Sequence, residues 1–263
     1  MRATLLGVPY DAGSSFQRGA AGGPAAVRAA LQSGSTNTWN EDVADVAPLL
    51  GDAGDVDFAR VVNPLYAIEA AAAALDPAVR PIFLGGDHSI TWPLLRAVRR
   101  RVPRLTILHL DAHPDLYDRF DGEPNSHACP FARIMEEGLC DRLVQLGIRT
   151  LNAHQAEQAR RFGVAMVTMR QGLAAMQATV AALEGPLYLS FDLDVLDPSC
   201  APGINHPEPG GLTTREAMTL LQAVPRRLLV AADVVELNPG NDLRDLTARV
   251  AAKLVKELVG RME

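Results

Sequence analysis

Residues Leu105 to Asp115 read Leu-Thr-Ile-Leu-His-Leu-Asp-Ala-His-Pro-Asp, and this stretch decides the fold. It opens as an apolar run and closes on three potential metal ligands at alternate positions, Asp111, His113 and Asp115. Alternation is the period of a strand, so a strand running out at its C-terminal end points all three the same way. An imidazole between two carboxylates offers a borderline nitrogen and hard oxygens, which suits Mn²⁺, Zn²⁺ or Fe²⁺.

The same pattern recurs on both sides of this stretch. Pro81–Leu84 predicts a strand ending in Gly85-Gly86-Asp87-His88-Ser89. Leu187–Phe191 predicts one ending in Asp192-Leu193-Asp194, and Leu228–Val235 one ending at Glu236. Three more strands are predicted at Ala3–Val8, Leu143–Ile148 and Val164–Met169. Helices are predicted between them: from Gly22-Gly23-Pro24 to about Leu31, Pro64–Leu75, Thr91–Arg101, Phe131–Glu137, Ala153–Phe162, Leu173–Leu183, Thr214–Ala223 and Leu246–Met262. Ser33 to Asp57 reads as loop, with short strand pieces at Val43–Val46 and near Leu50. Almost wholly apolar strands alternating with helices indicate a mostly parallel sheet buried on both faces, a three-layer α/β sandwich. No linker or internal repeat divides the chain, so one domain over residues 1–263 is expected. In such sheets chemistry gathers at the carboxyl ends of the strands, where every polar cluster named here falls.

The 263 residues are enough for a sizeable core, and 48% of them are hydrophobic. A net charge of −6 argues against a nucleic-acid partner. Arg96, Arg99, Arg100, Arg101 and Arg104 read as the solvated face and C-terminal end of a helix, where cations complement the dipole. Cys129, Cys140 and Cys200 form no CxxC pair, so neither a disulfide framework nor a zinc knuckle is expected. The N-terminus carries no tripartite export signal and no apolar run approaches spanning length. A cytoplasmic protein with no membrane partner is the expectation.

Four strand ends therefore supply His88, then Asp111, His113 and Asp115, then Asp192 and Asp194, then Glu236. One octahedral cation rarely needs four carboxylates. Two divalent cations about 3.5–4 Å apart do, and such a pair brings a shared water to a pKa near neutrality.

The segments GGDHS, DAHPD and SFDLDVLDP, in this order, resemble the signatures of the ureohydrolase family, the arginases, agmatinases and relatives. The resemblance runs from GVPYDAGSSFQRGAAGGPAAVR to ELNPGND and is strongest to the plant-type branch, in DAHPDLYDRFDG, FARIMEEG, APGINHPEPGGLT and ADVVELNP. It implies the arginase-like fold of about eight strands, assembled as a homotrimer or homohexamer, with two Mn²⁺ per subunit. It further implies that His88, Asp111, Asp115 and Asp192 hold one ion and that Asp111, His113, Asp192 and Asp194 hold the other. Asp115 would also accept a hydrogen bond from the bridging hydroxide. Glu236 falls at the position of the carboxylate that pairs with the substrate guanidinium, and His127 at that of the proton shuttle.

Elementary chemistry agrees with those assignments. A guanidinium is planar and cationic, so a carboxylate such as Glu236 can hold it bidentately. An amine leaves poorly unless protonated, and a histidine titrating near the working pH is the natural donor. The implied reaction hydrolyses a small guanidino compound to urea and an amine. L-arginine is the first candidate, agmatine the second, and another guanidino acid or a formimino compound follows. Contacts that separate these substrates are expected from the loop Tyr117–Ser126, with Asp121, Glu123, Asn125 and Ser126 as candidates, and from His206. Glu123-Pro124-Asn125 departs from the plant-type pattern directly before Ser126-His127, which leaves the substrate open. His109 alternates with Asp111 and reads equally as its partner or as a core histidine. His154 reads as a helix-surface residue, Cys129 and Cys200 as packing, and Asp118 and Asp197 as turn formers. A silent subunit that retained every one of these polar groups would be hard to explain as structure alone.

Overall fold

The computed structural model describes residues 3–263 and contains one eight-stranded sheet. Its strands are β1 (Ala3–Val8), β2 (Leu50–Asp55), β3 (Arg80–Gly85), β4 (Thr106–Leu110), β5 (Arg142–Ile148), β6 (Ala165–Thr168), β7 (Leu187–Asp192) and β8 (Leu229–Val235). They lie in the order β2-β1-β3-β8-β7-β4-β5-β6, and every pair is parallel. The central stretch becomes β4, hydrogen-bonded to β5 on one side and β7 on the other.

Eight helices cover the two faces: α1 (Gly23–Leu31), α2 (Pro64–Ala74), α3 (Thr91–Arg101), α4 (Pro130–Glu136), α5 (Ala153–Phe162), α6 (Leu173–Ala181), α7 (Thr214–Ala223) and α8 (Leu246–Arg261). Strand alternation divides the core in two. Ile82, Leu84, Leu108 and Leu110 point to the layer holding α1, α6, α7 and α8. Phe83 and Ile107 point to the layer of α2, α3 and α4, which Ala159 and Phe162 of α5 join at its margin. Helix starts carry the side chains that satisfy free backbone N–H groups. Asn63 caps α2, Asn152 caps α5, and Thr213 with Glu216 closes a capping box on α7.

Two sequence expectations shift. Val43–Val46 is not a strand: Val43 sits at φ 59°, and pairing there is limited to one bridge between Trp39 and Asp45. The piece near Leu50 is a full edge strand, although Leu-Gly-Asp-Ala-Gly-Asp carries no alternation. Backbone pairing to β1 and the reach of Arg28 to Asp52 and Asp55 hold it there. Among the described residues no helix is long and apolar enough to cross a membrane.

Candidate functional site

The turn after β3 comes first. Gly86 passes under Tyr10, and a Cβ there would fall 1.7 Å from the Tyr10 carbonyl oxygen, so only glycine fits. Asp87 then caps the short turn, accepting from the Ser89 backbone N–H, the Ser89 hydroxyl and Ser14. His88 follows, fully buried. Its Nε2 lies 2.9 Å from Ser190 Oγ, and Ser190 donates to Asp233 Oδ1 at 2.7 Å. Asp233 Oδ2 accepts from Thr91 and Tyr188. Because Ser190 spends its proton on Asp233, it accepts from His88, which fixes the tautomer with hydrogen on Nε2.

In the neutral ring the Nδ1 of His88 therefore presents a lone pair. It faces Asp111 Oδ2 at 3.1 Å, Asp115 Oδ2 at 3.2 Å and Asp192 Oδ2 at 3.1 Å. No well-directed hydrogen bond reaches it. A lone pair aimed at three carboxylate oxygens in a dry interior is repulsive unless a cation lies between them. His113, on the same strand end, places Nδ1 2.9 Å from Asp194 Oδ2 and 3.4 Å from Asp111 Oδ1. Asp111 is thus common to both groups, and its partners Asp194 and His113 stand close enough to share an ion. The donor set of two imidazoles and four carboxylates fits divalent metal.

The electrostatics carry the same message. Burial pushes the Asp192 carboxyl far above its ordinary range, and Asp194 and Asp111 push it further. Asp194 is raised to about 6 by burial and by Asp111. Burial opposes charge on His88 and His113, yet the surrounding carboxylates pull both upward. This centre contains no lysine or arginine, so it is short of positive charge.

His109 braces the cluster. Its Nε2 donates to Asp111 Oδ2 at 2.8 Å and its Nδ1 accepts from Gln145 at 3.0 Å, while Phe131 stacks on the ring. Burial lowers its pKa. Of the two sequence readings, the partner of Asp111 is the one the geometry matches.

Glu236 leaves β8 in a left-handed conformation, φ 65°, and Asp115 sits at φ 51°. Non-glycine residues rarely adopt this region, and such strain concentrates at functional sites. Glu236 Oε1 accepts from the His88 backbone N–H at 2.9 Å and from His127 Nδ1 at 2.8 Å. Its Oε2 is buried without a partner. Burial opposes protonation of His127, but Glu236 overrides it and raises the imidazole to about 9. On the other side of the ring, His127 Nε2 lies 2.9 Å from Ser15 Oγ.

These groups border a cavity of about 230 Å³. His113, Asp115, Asp192 and Asp194 line its floor with Glu236 and His127, and Ser15, Tyr117, Phe120, Thr150, Gln155 and His206 line its walls. His206 lies 4.9 Å from the His127 ring and meets Phe16 edge-on. Asn125 and Ser126 are not on the wall. Ser126 turns its hydroxyl to Gly13 O, and Asn125 folds back on Glu123. Asp118 lies at a bend, and its side chain pairs with His154 at 3.0 Å. Asp197 serves a turn, accepting from Ser199 and Gly210. Arg96, Arg99 and Arg100 pair with Glu137, Asp141 and Glu69 along α3. Tyr117 comes from the loop the sequence singled out, whereas Ser15, Thr150 and Gln155 escaped the sequence reading. For Ser15 a signal existed, because its turn leaves the carboxyl end of β1.

Residues 1–260 match the sequence model of the arginase family. Arginase 1, mitochondrial, of Arabidopsis thaliana is 43% identical over 98% of this chain and 80% of its own length. Guanidinopropionase of Pseudomonas aeruginosa is 38% identical over 97% of this chain and 85% of its own. The solved arginase from Medicago truncatula superposes with a TM-score of 0.89 at 40% identity, covering 99% of this chain and 87% of that one. By sequence, fold and the spacing of its strand-end clusters, the chain belongs to the arginase family.

Proposed function

We propose that the whole chain, residues 1–263, is one hydrolase domain that cleaves a guanidino compound to urea and an amine at a pair of Mn²⁺ ions, with L-arginine as first substrate. The observation that carries this reading is the bare, buried Nδ1 of His88 facing three carboxylates, beside a cavity whose acid Glu236 keeps one oxygen free. His88, Asp111, Asp115 and Asp192 would hold one ion and Asp111, His113, Asp192 and Asp194 the other. When bound, the pair supplies Lewis acidity and an acidified water.

The chain's own residues do the rest. Glu236 Oε2 receives the planar cation and sets its direction. Asp115, held rigid by its backbone conformation, orients the attacking group. His127, kept protonated by Glu236, delivers the proton without which the amine cannot leave. Phe120 and Tyr117 shield the cavity from bulk water, and His206 lines the end nearer Phe16. Recognition of the tail by Asn125 and Ser126 requires the 117–126 loop to turn inward.

A second reading, hydrolysis of agmatine, is favoured by one observation. No lysine or arginine lines the cavity, so apart from His127, already engaged by Glu236, an α-carboxylate would meet no fixed positive charge there. The test is urea release by Mn²⁺-loaded protein from L-arginine, agmatine and 4-guanidinobutyrate at equal concentration. Preference for L-arginine is expected. Preference for agmatine keeps the mechanism and changes the substrate, and silence with all three rejects the reading.

A further inference from the structure

We infer that Ser15 is the positioning residue of His127, its hydroxyl holding the imidazole with Nδ1 turned to the guanidinium seat at Glu236. The inference rests on the guanidino-hydrolase reading above.

His127 is buried, and each ring nitrogen has one partner. Nδ1 has Glu236 Oε1 at 2.8 Å, and Nε2 has Ser15 Oγ at 2.9 Å. The first partner is shared. Glu236 also accepts from the His88 backbone and is the acid on which the guanidinium would settle. The second partner has no competitor for its contact with the ring. Once the substrate engages Glu236, Ser15 is the contact that still defines the ring's angle. A hydroxyl suits this task, because it both accepts and donates. It accepts from Nε2–H of the imidazolium and donates to Nε2 of a neutral ring protonated at Nδ1. Ser15 is itself solvent-exposed, so its hydroxyl is not needed to satisfy a buried group of its own.

The turn that carries Ser15 is fastened on both sides. Gly13 O accepts from the His127 backbone N–H at 3.0 Å and from Ser126 Oγ at 3.3 Å. Gly13 must lack a side chain, since a Cβ there would fall 2.6 Å from Ser89 Oγ. Ser14 donates to Asp87 at 3.1 Å. Downstream, Asn205 donates to Gln17 O at 3.1 Å and Asn238 to Arg18 O at 3.2 Å. Asn205 and Asn238 bond each other at 2.6 Å. Five anchors around one exposed serine are more than a passive turn needs, and they place its hydroxyl on the ring.

The experiment compares Ser15→Ala, Ser15→Thr, His127→Asn and the Ser15→Ala/His127→Asn double variant, all Mn²⁺-loaded. Urea release is followed with whichever guanidino compound the wild type turns over. Imidazole ¹⁵N NMR of His127 is recorded alongside on the chelator-stripped proteins, because paramagnetic Mn²⁺ would broaden the resonance away. Ser15→Ala is expected to lower kcat roughly 10- to 100-fold, part of what a positioned acid contributes, with KM within about twofold. Ser15→Thr, which keeps the hydroxyl, restores most of it. In the His127→Asn background Ser15→Ala costs nothing more, and in the wild-type background it shifts the Nε2 resonance. Equal losses in both backgrounds, an unchanged kcat, or an unchanged Nε2 resonance would each overturn the inference. If the wild type cleaves no guanidino compound, the proposed function fails by itself, and the Nε2 resonance alone decides whether Ser15 sets the ring.

Discussion

Two regions of this protein bury charge, and they do it in opposite ways. At the carboxyl ends of β3, β4 and β7, four aspartates crowd two imidazoles with no lysine or arginine among them. Behind α8, the buried Glu257 and Arg261 meet Lys253 and Asp42, and at the solvent rim the exposed Glu41 and Asp42 meet Arg215 and Arg226. There each acid has a base. Glu257 accepts from Lys253 at 2.5 Å, from the Glu41 backbone at 2.9 Å and from Gln222 at 3.3 Å. Arg215, followed by Gln222, holds the Glu41 carboxyl at about 2. Buried charge is tolerated where it is paired, and unpaired burial persists where a ligand completes it. The second region closes the chain on itself, whereas the first requires an ion from outside.

Asp192→Asn is the strongest way to break this contrast. It removes a carboxylate shared by both proposed ions, and urea release should fall about a thousandfold or more. In chelator-stripped protein the same change relieves repulsion, so the variant should be as stable as wild type or about 1–2 kcal/mol more so. Urea-denaturation curves in EDTA check this, and a loss of stability would place Asp192 with the paired charges. Metal addition is the converse. At about 1,000 times its Kd, Mn²⁺ should add about 4 kcal/mol per bound ion to the wild type and far less to Asp192→Asn, read as a rise in Tm.

Glu257→Ala should behave in the opposite manner. It strands the Glu41 backbone N–H and leaves Lys253 with only its weaker contact to Glu41. A cost of about 3 kcal/mol is expected, discounted because Lys253 is partly solvated. Turnover per folded molecule should stay within about twofold, and the increment on adding Mn²⁺ should match wild type. If turnover collapses with stability, the two regions are coupled and the contrast is wrong.

The two regions also differed in what the sequence disclosed. The ligands were legible because each lies in a short local pattern at the end of an apolar run, as in Gly-Gly-Asp-His-Ser or Asp-Ala-His-Pro-Asp. Strand geometry alone then brings them to one edge of the sheet. Ser15 was legible only in its place, on the turn after β1, since the partner that gives its hydroxyl a purpose lies 112 residues away. Glu257 and Lys256 are residue types that a helix ordinarily turns to solvent, yet the 33–46 loop folds over them and buries both. Edge strand β2 was faint because its side chains hardly enter the core, so no alternation was selected. What the chain leaves unreadable is set by contacts between distant loops.

The subtlest test lies at Glu236, the acid of the site that pairs with His127. His127 titrates at about 9 in the fold, against 6.5 for a free imidazole, because Glu236 outweighs the penalty of burial. A group whose pKa is raised on folding stabilises fully below its unfolded value and loses that contribution as pH climbs through the folded one. The stripped wild type should therefore lose at most about 3 kcal/mol between pH 6.5 and 9 from this pair. Glu236→Gln removes the raised pKa, and its unfolding free energy should stay flatter over the same window. Parallel denaturation series of the two proteins at pH 6, 7.5 and 9.5 measure the difference directly. Curves that run parallel would mean that Glu236 does not charge His127, and the proton donor would have to be sought elsewhere in the cavity.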